Sequence, residues 1–344
     1  MALRKAQQPL KEFALIDSLV RRFSTRAPRL VRGIGDDAAV VVPSANRQLV
    51  LTTDLLAEGI HFDLRTASFE DIGYKAATAN LSDIAAMGAR PEHVLVALAI
   101  PAAYNTSHIL RLYRGLMDAC RPYRVSLIGG DTSASSNGLF LSLTLTGTVP
   151  TGSALLRSGA QVGDLIYVTG TLGDSLAGFQ LLSRRKPMAA LRLPLKYRRF
   201  LIARHRRPVA HCRFGQWLSA HRLASAAIDL SDGLSGDLRH LCTHSHVGAE
   251  IHAASLPLSS ALLHYATASR MDPAALALRG GEDYELLWTV SPSKSRRLHR
   301  IANTPGRRIT CIGVIRPPGF GIQMTTEDGT SRPVPVTSYE HFRR

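Results

Sequence analysis

The sequence predicts an α/β (α+β) chain of two domains. Three observations carry that prediction. At 344 residues the chain exceeds what one typical core holds. Short apolar runs that end in glycine turns are interleaved with helical stripes, the spacing of mixed strands and helices. A turn-forming stretch beginning at Pro150-Thr151-Gly152 separates two such series, which puts a boundary near residues 150–162 and divides the chain into 12–152 and 153–344. Apolar residues make up 45% of the chain, the usual level for a globular protein.

Phe13, Ile16, Leu19, Val20 and Phe23 form a helical stripe. Gly33-Ile34-Gly35-Asp36-Asp37 then turns into an apolar run at 38–42. Adjacent side chains in an extended segment point to opposite sides, so Asp36 and Asp37 have different environments. Either they belong to an Asx-rich surface turn or one of them faces a site. Leu49 to Asp54 reads as a strand ending in Thr52, Thr53 and Asp54, three hard oxygen donors of the kind magnesium prefers. A Thr-Asp cap would explain them equally well. His61 follows in G-I-H-F, and a lone histidine is more often structural.

Ser68 with Asp71 three residues on opens a helix, which continues through alanines to Gly88. Asn80 and Asp83 share one face of it among small neighbours. A carboxylate packed that closely needs a cation or a donor. Residues 93–100 read as a buried strand, 107–120 as a helix, and 125–128 as a short strand ending in Gly129-Gly130-Asp131-Thr132. Residues 139–149 alternate as a half-buried antiparallel strand does.

The second half opens with a strand at 165–168 and the turn T-G-T-L-G-D-S at 169–175. A strand at 225–230 leads into Asp229-Leu230-Ser231-Asp232-Gly233, and Gly280-Gly281-Glu282-Asp283 precedes another. Strands at 309–314 and 320–324 complete the series.

The formal charge is +16, from 42 Lys and Arg against 26 Asp and Glu. Much of the excess lies in residues 184–213, where interspersed leucines and phenylalanine suggest a helical hairpin surface with snorkelling basic stems. No zinc-finger, RNA-binding or helix-turn-helix signature accompanies it, and the field would also steer polyphosphates. Cys120, Cys212, Cys242 and Cys311 have no C-x-x-C spacing, which fits free thiols in a reducing cytoplasm. No apolar run is long enough to cross a bilayer, and the basic start lacks a signal-peptide core.

The acids of this acid-poor chain gather at glycine turns, strand ends and one small-residue helix: Asp36, Asp37, Asp54, Asp83, Asp131, Asp229, Asp232, Glu282 and Asp283. Such placement suits magnesium holding phosphates. G-x-x-x-x-G-K-S/T, G-x-S-x-G and H-E-x-x-H are absent, which removes the P-loop, hydrolase-elbow and zincin classes.

Taken together, G-I-G-D-D-A-A (33–39), L-T-T-D (51–54), G-I-H-F (59–62), N-L-S-D-I-A-A-M-G-A (80–89), I-G-G-D-T (128–132), A-L-L-R-S-G-A (154–160), V-T-G-T-L-G-D-S (168–175), I-D-L-S-D-G-L (228–234) and G-G-E-D-Y-E-L (280–286) resemble the thiamine-monophosphate kinase family of the aminoimidazole-ribonucleotide-synthetase-like superfamily. The resemblance implies a two-domain PurM-like architecture, with N-terminal sheets paired across a homodimer and a C-terminal α/β domain. It implies ATP-dependent phosphorylation of thiamine monophosphate to thiamine diphosphate by direct in-line transfer, with several Mg2+ ions and no acid or base residue assigned. It further implies that Asp37, Thr52, Thr53, Asp54, Asp83, Asp131, Asp229 and Asp232 hold metal. Tyr113, Gly130, Asp131, Arg157 and Ser231 would contact ATP, and His61, Glu282 and Tyr339 the thiamine phosphate. P-V-A-H at 208–211 departs from the proline-arginine that the family often shows there. The alternatives are a sister synthetase acting on another acceptor, or a non-enzymatic nucleotide- or nucleic-acid-binding protein. Selenophosphate synthesis would want a reactive cysteine near the N-terminus, and none precedes Cys120.

Overall fold

Alternation and helix signals become three sheets, one of them only a two-stranded pair, and ten helices among the described residues of the computed structural model, which are 12–23, 27, 29–32, 39–183, 191–302 and 308–335. The chain divides into two compact units, one of residues 1–84 and 91–148, the other of 85–90 and 149–344.

The first unit contains α1 (Glu12–Phe23), the short pair β1 (Leu30–Arg32) and β2 (Val40–Val41), and β3 (Arg47–Ala57). It continues with α2 (Phe69–Ala86), β4 (Arg90–Pro101), α3 (Thr106–Cys120), β5 (Ser126–Ser135) and β6 (Phe140–Pro150). The four longer strands lie in the order β3-β6-β4-β5. Leu141, Leu143 and Leu145 on β6 and Val94, Val96 and Leu98 on β4 bury one face of this sheet. Each such side chain contributes about 1.5–3 kcal/mol of transfer free energy.

Helices α2 and α3 approach to backbone contact, because a Cβ at Gly115 would sit 1.8 Å from the Glu70 carbonyl oxygen. The start of α2 is held by Ser68, whose hydroxyl accepts the Asp71 N–H at 3.1 Å, half of a capping box. Gly88, at φ +66, stands just beyond its end. Strand β5 runs past residue 128, through both glycines, to Ser135. There it pairs in parallel with β4, so the G-G-D-T segment is strand and not the loop that glycine content suggests. The pairing needs glycine: a Cβ at Gly130 would lie 2.0 Å from the Val96 carbonyl oxygen.

The second unit is organised on a seven-stranded sheet. In chain order it contains β7 (Leu165–Thr169), α4 (Asp174–Ser183), α5 (Leu195–Arg206), α6 (Cys212–Ala220), β8 (Ala226–Asp229), α7 (Leu234–Ser245) and β9 (Gly248–His252). Then follow α8 (Ser260–Ser269), α9 (Pro273–Arg279), β10 (Leu286–Val290), α10 (Pro292–Ala302), β11 (Ile309–Arg316), β12 (Ile322–Thr325) and β13 (Ser331–Pro333). The strand order is β13-β12-β9-β11-β7-β10-β8. Strand β10, buried at every position, lies antiparallel between β7 and β8. Ile166, Val168, Ile228, Leu238, Leu241 and Leu287 share one core cluster, while Ala177, Leu181, Leu201, Leu262, Tyr265 and Leu276 form another. Trp288 is fully buried and stacks on Tyr167 at 5.6 Å.

All four cysteines are free thiols. Among the described residues no helix is long and apolar enough to cross a membrane.

Candidate active site

Alternation along β3 decides which of its polar residues can act together. Thr52 and Asp54 project to one side of the strand and Thr53 to the other. Thr52 Oγ1 donates to Asp83 Oδ2, which joins the middle of β3 to the last turn of α2; the strand runs on past Asp54, where the sequence predicts its end, to Ala57. Asp54 is close enough to Asp83 for the two charges to repel. Burial first, and then the Asp83 charge, push the Asp54 carboxyl up to about 6. Thr53, by contrast, donates to the Leu143 carbonyl at 3.0 Å and accepts from Thr144 Oγ1 at 3.2 Å, so its hydroxyl serves β6. Asn80, buried on the Asp83 helix, donates to the Ala76 carbonyl of its own preceding turn at 3.2 Å.

This arrangement suits a divalent cation. Two repelling carboxyls, one of them desolvated, stand beside a hydroxyl in the middle of a strand. Among the described residues no three His, Cys, Asp or Glu side chains are grouped so as to hold a metal by themselves. Magnesium takes one or two carboxylates and completes its shell with water and substrate phosphates. Asp131 is exposed on β5, in register with Ala97 of β4, and follows the closely approached Gly130. His61 accepts the Ala57 N–H through Nδ1 at 3.0 Å. Tyr113 is buried on α3 with its ring 5.8 Å from that of Phe23, and burial pushes its hydroxyl pKa upward. Asp36 and Asp37 lie outside the described residues, as does Tyr339.

In the second unit Asp229 ends β8 and is buried, opposite Leu286 of β10. The turn after it is shaped by Asp237, whose Oδ2 accepts the N–H groups of Asp232 at 3.2 Å and Gly233 at 3.0 Å. Burial, followed by the charges of Asp229 and Asp232, raises the Asp237 pKa well above the usual carboxylate range. The Ser231 carbonyl accepts the Glu282 N–H at 2.8 Å, Leu230 O accepts Tyr284 N–H at 2.9 Å, and Leu230 N–H returns to Glu285 O at 2.8 Å. The two acid-bearing loops are therefore stitched edge to edge. Glu282 takes φ +62 and Tyr284 φ +53, left-handed conformations unusual for side-chain-bearing residues. Arg157 is exposed, and its carbonyl accepts Ser245 Oγ at 3.1 Å.

Further residues hold this loop, Asp283 of the acid set among them. Asp283, fully buried, accepts Gly173 N–H at 2.5 Å and Ser175 N–H at 2.9 Å. Burial holds its pKa up at about 7. Glu285 Oε1 meets Arg204 at 2.6 Å, and Oε2 meets His211 Nε2 at 2.6 Å and Thr169 Oγ1 at 2.5 Å. Burial alone would raise Glu285, but His211, Arg204 and Thr169 more than reverse it and bring it down to about 2. His205 Nδ1 lies 3.4 Å from Glu282 Oε2 and 3.2 Å from Ser175 Oγ.

The basic segment is thus not solvated throughout. Arg204 keeps only 15% of its side chain exposed because its partner sits at the floor of the loop. Glu285 lies in a stretch buried at every position from Asp283 to Val290. Nothing local in sequence ties it to α5.

Residues 35–149 match the family described as AIR synthase related protein, N-terminal domain. A thiamine-monophosphate kinase of Haemophilus influenzae is 40% identical over 315 residues, 90% of this chain and 91% of that protein. The crystal structure of thiamine-monophosphate kinase from Stenotrophomonas maltophilia K279a is 38% identical, with a TM-score of 0.80 over 96% of this chain and 100% of that one. AaThiL complexed with AMPPCP and TMP is 33% identical, with a TM-score of 0.76 over 99% of each chain.

Proposed function

The chain belongs to the thiamine-monophosphate kinase family, and on that premise we propose that it gathers magnesium through Asp54 and Asp83 to transfer the γ-phosphoryl group of ATP directly to thiamine monophosphate. The observation that carries this reading is the Thr52–Asp83–Asp54 cluster, whose mutually repelling, partly buried carboxyls suit a cation between them. Bound magnesium supplies charge neutralisation on phosphate oxygens.

The chain's own residues do the positioning. Asp54 and Asp83 present oxygens from β3 and α2, and Thr52 orients Asp83. For further ions, Asp37 and Asp131 are the candidate ligands of the first unit and Asp229 and Asp232 those of the second. Thr53 would join them through its main-chain oxygen, since its hydroxyl is used by β6. Gly130 lets the β5 backbone approach a phosphate, Arg157 offers a bidentate cation and Ser231 borders the nucleotide, whereas Tyr113 is buried in the α3 packing beside Phe23. Glu282 meets the cationic thiamine, with His61 and Tyr339 as further substrate contacts. Transfer between phosphates requires no protein acid or base, because alignment and neutralisation supply the rate.

We further read 12–152 and 153–344 as the two domains, and the protein as a cytoplasmic homodimer. Support for the dimer comes from the outer face of β3, where Leu49 and Leu51 are each 62% exposed and Leu55 is 58% exposed. An aliphatic row of this kind on a sheet is unusual for a free surface. The test is incubation with ATP, Mg2+ and thiamine monophosphate. Thiamine diphosphate and ADP should appear in equal amounts. ATP hydrolysis with no thiamine diphosphate, or no reaction, would overturn the reading.

A further inference from the structure

We propose that Arg204, through its ion pair with Glu285, is a positioning residue that holds Glu282 in its substrate-facing conformation. The proposal rests on the reading of Glu282 as the contact to the thiamine cation. Glu282 and Tyr284 both adopt left-handed φ values, on either side of the buried Asp283. Side-chain-bearing residues keep such conformations only where the surroundings over-determine them. Three holds are present. Backbone hydrogen bonds run from the loop to Leu230 and Ser231. Asp283 is fixed by the N–H groups that open α4. Glu285, at the far end, is gripped by Arg204, His211 and Thr169 at 2.5–2.6 Å.

The first two holds are local to the sheet. The third comes from the basic segment, for which the activity otherwise gives no use. The last turn of α5 supplies Arg204 to Glu285 and the next residue, His205, to Glu282 at 3.4 Å. One helix end therefore touches both ends of the loop. With Arg204 gone, Glu285 stays 2% exposed with its charge only partly balanced by His211, and a buried, poorly paired carboxylate pulls toward water. The route open to it is relaxation of residues 282–285, which releases Glu282 from its left-handed geometry.

A double-mutant cycle in the full-length protein tests this, with KM for thiamine monophosphate, KM for ATP and kcat measured separately. Glu282→Gln alone should raise KM for thiamine monophosphate about tenfold or more, the loss of a charged contact. Arg204→Met alone should raise it about tenfold while KM for ATP moves less than about threefold. In the Glu282→Gln background Arg204→Met should add less than about threefold, because both changes remove the same contact. Arg204→Lys keeps the charge without the planar fork and should fall between wild type and Met. It carries the same cycle if the Met variant does not fold.

If the Arg204 factor is equal in both backgrounds, or if both KM values rise together, the residue is merely structural and the proposal fails alone. A silent Glu282→Gln refutes the substrate reading itself and takes the proposal with it.

Discussion

Asp54→Asn separates metal binding from folding. In the metal-free protein the Asp54 carboxyl rises from 3.8 to about 6, through burial and then the Asp83 charge. A carboxyl raised in the folded state stabilises that state while protonated. Its contribution is fully present below pH 3.8 and is lost as pH rises through about 6. At 1.36 kcal/mol per pKa unit, ionisation of this group costs about 3 kcal/mol of stability at neutral pH. Asparagine keeps the shape and removes the charge. The metal-free variant should therefore be more stable than wild type by up to about 3 kcal/mol at pH 8 and nearly equal to it at pH 4.

The gain should read as roughly 2–4 °C of Tm per kcal/mol. Both tryptophans, Trp217 and Trp288, lie in the second unit, so their fluorescence misses the effect. Circular dichroism melts in EDTA, with hydrogen exchange read over β3 and α2, report it directly. Added Mg2+ should stabilise wild type more than the variant, by mass action on the folded state. Turnover should fall by at least about 10³-fold, the scale of losing a metal's charge stabilisation. A variant less stable than wild type in EDTA at pH 8, or with the wild-type pH slope, refutes the electrostatic account of this pair.

Other outcomes follow from packing. Gly170→Ala should destabilise the second unit by about 1–3 kcal/mol in urea melts, since φ is +59 and the added Cβ would fall 2.1 Å from Glu285 Oε1. Leu51→Glu should convert a dimer to monomer in sedimentation velocity without changing the far-ultraviolet spectrum, because Leu51 is already exposed in the single chain. Burial pushes the thiols of Cys120 and Cys242 up to about 12, so iodoacetamide at pH 8 should leave both unmodified until the protein is unfolded. The partly buried Cys311 should react before them, as peptide mass mapping would show.

Legibility in the sequence followed the range of the interactions involved. The helix at 69–86 was readable because Ser68 and Gly88 act within a turn of its ends. The leucines of β6 were readable because alternation is a local property. Asp54 and Asp83 were visible as unusual placements, yet their pairing through Thr52 spans 31 residues and emerges only in space. The same limit hid the partners of Glu285, which come from α5, 81 residues away, and from the end of β7, 116 residues away. Composition placed residues 184–213 on the surface, which Arg204 contradicts, because an arginine's length lets it reach a buried charge that no window reveals. The sequence predicts β5 too short because its glycines, normally strand breakers, are required by close parallel pairing with β4.

The most direct measurement is a count of bound Mn2+, used in place of Mg2+, by electron paramagnetic resonance with AMPPCP and thiamine monophosphate present. Wild type should bind several ions per chain, and Asp54→Asn should lose at least one while still folding. Equal ion counts in the two proteins would show that Asp54 holds no metal and would contradict the assignment on which the phosphoryl-transfer account stands.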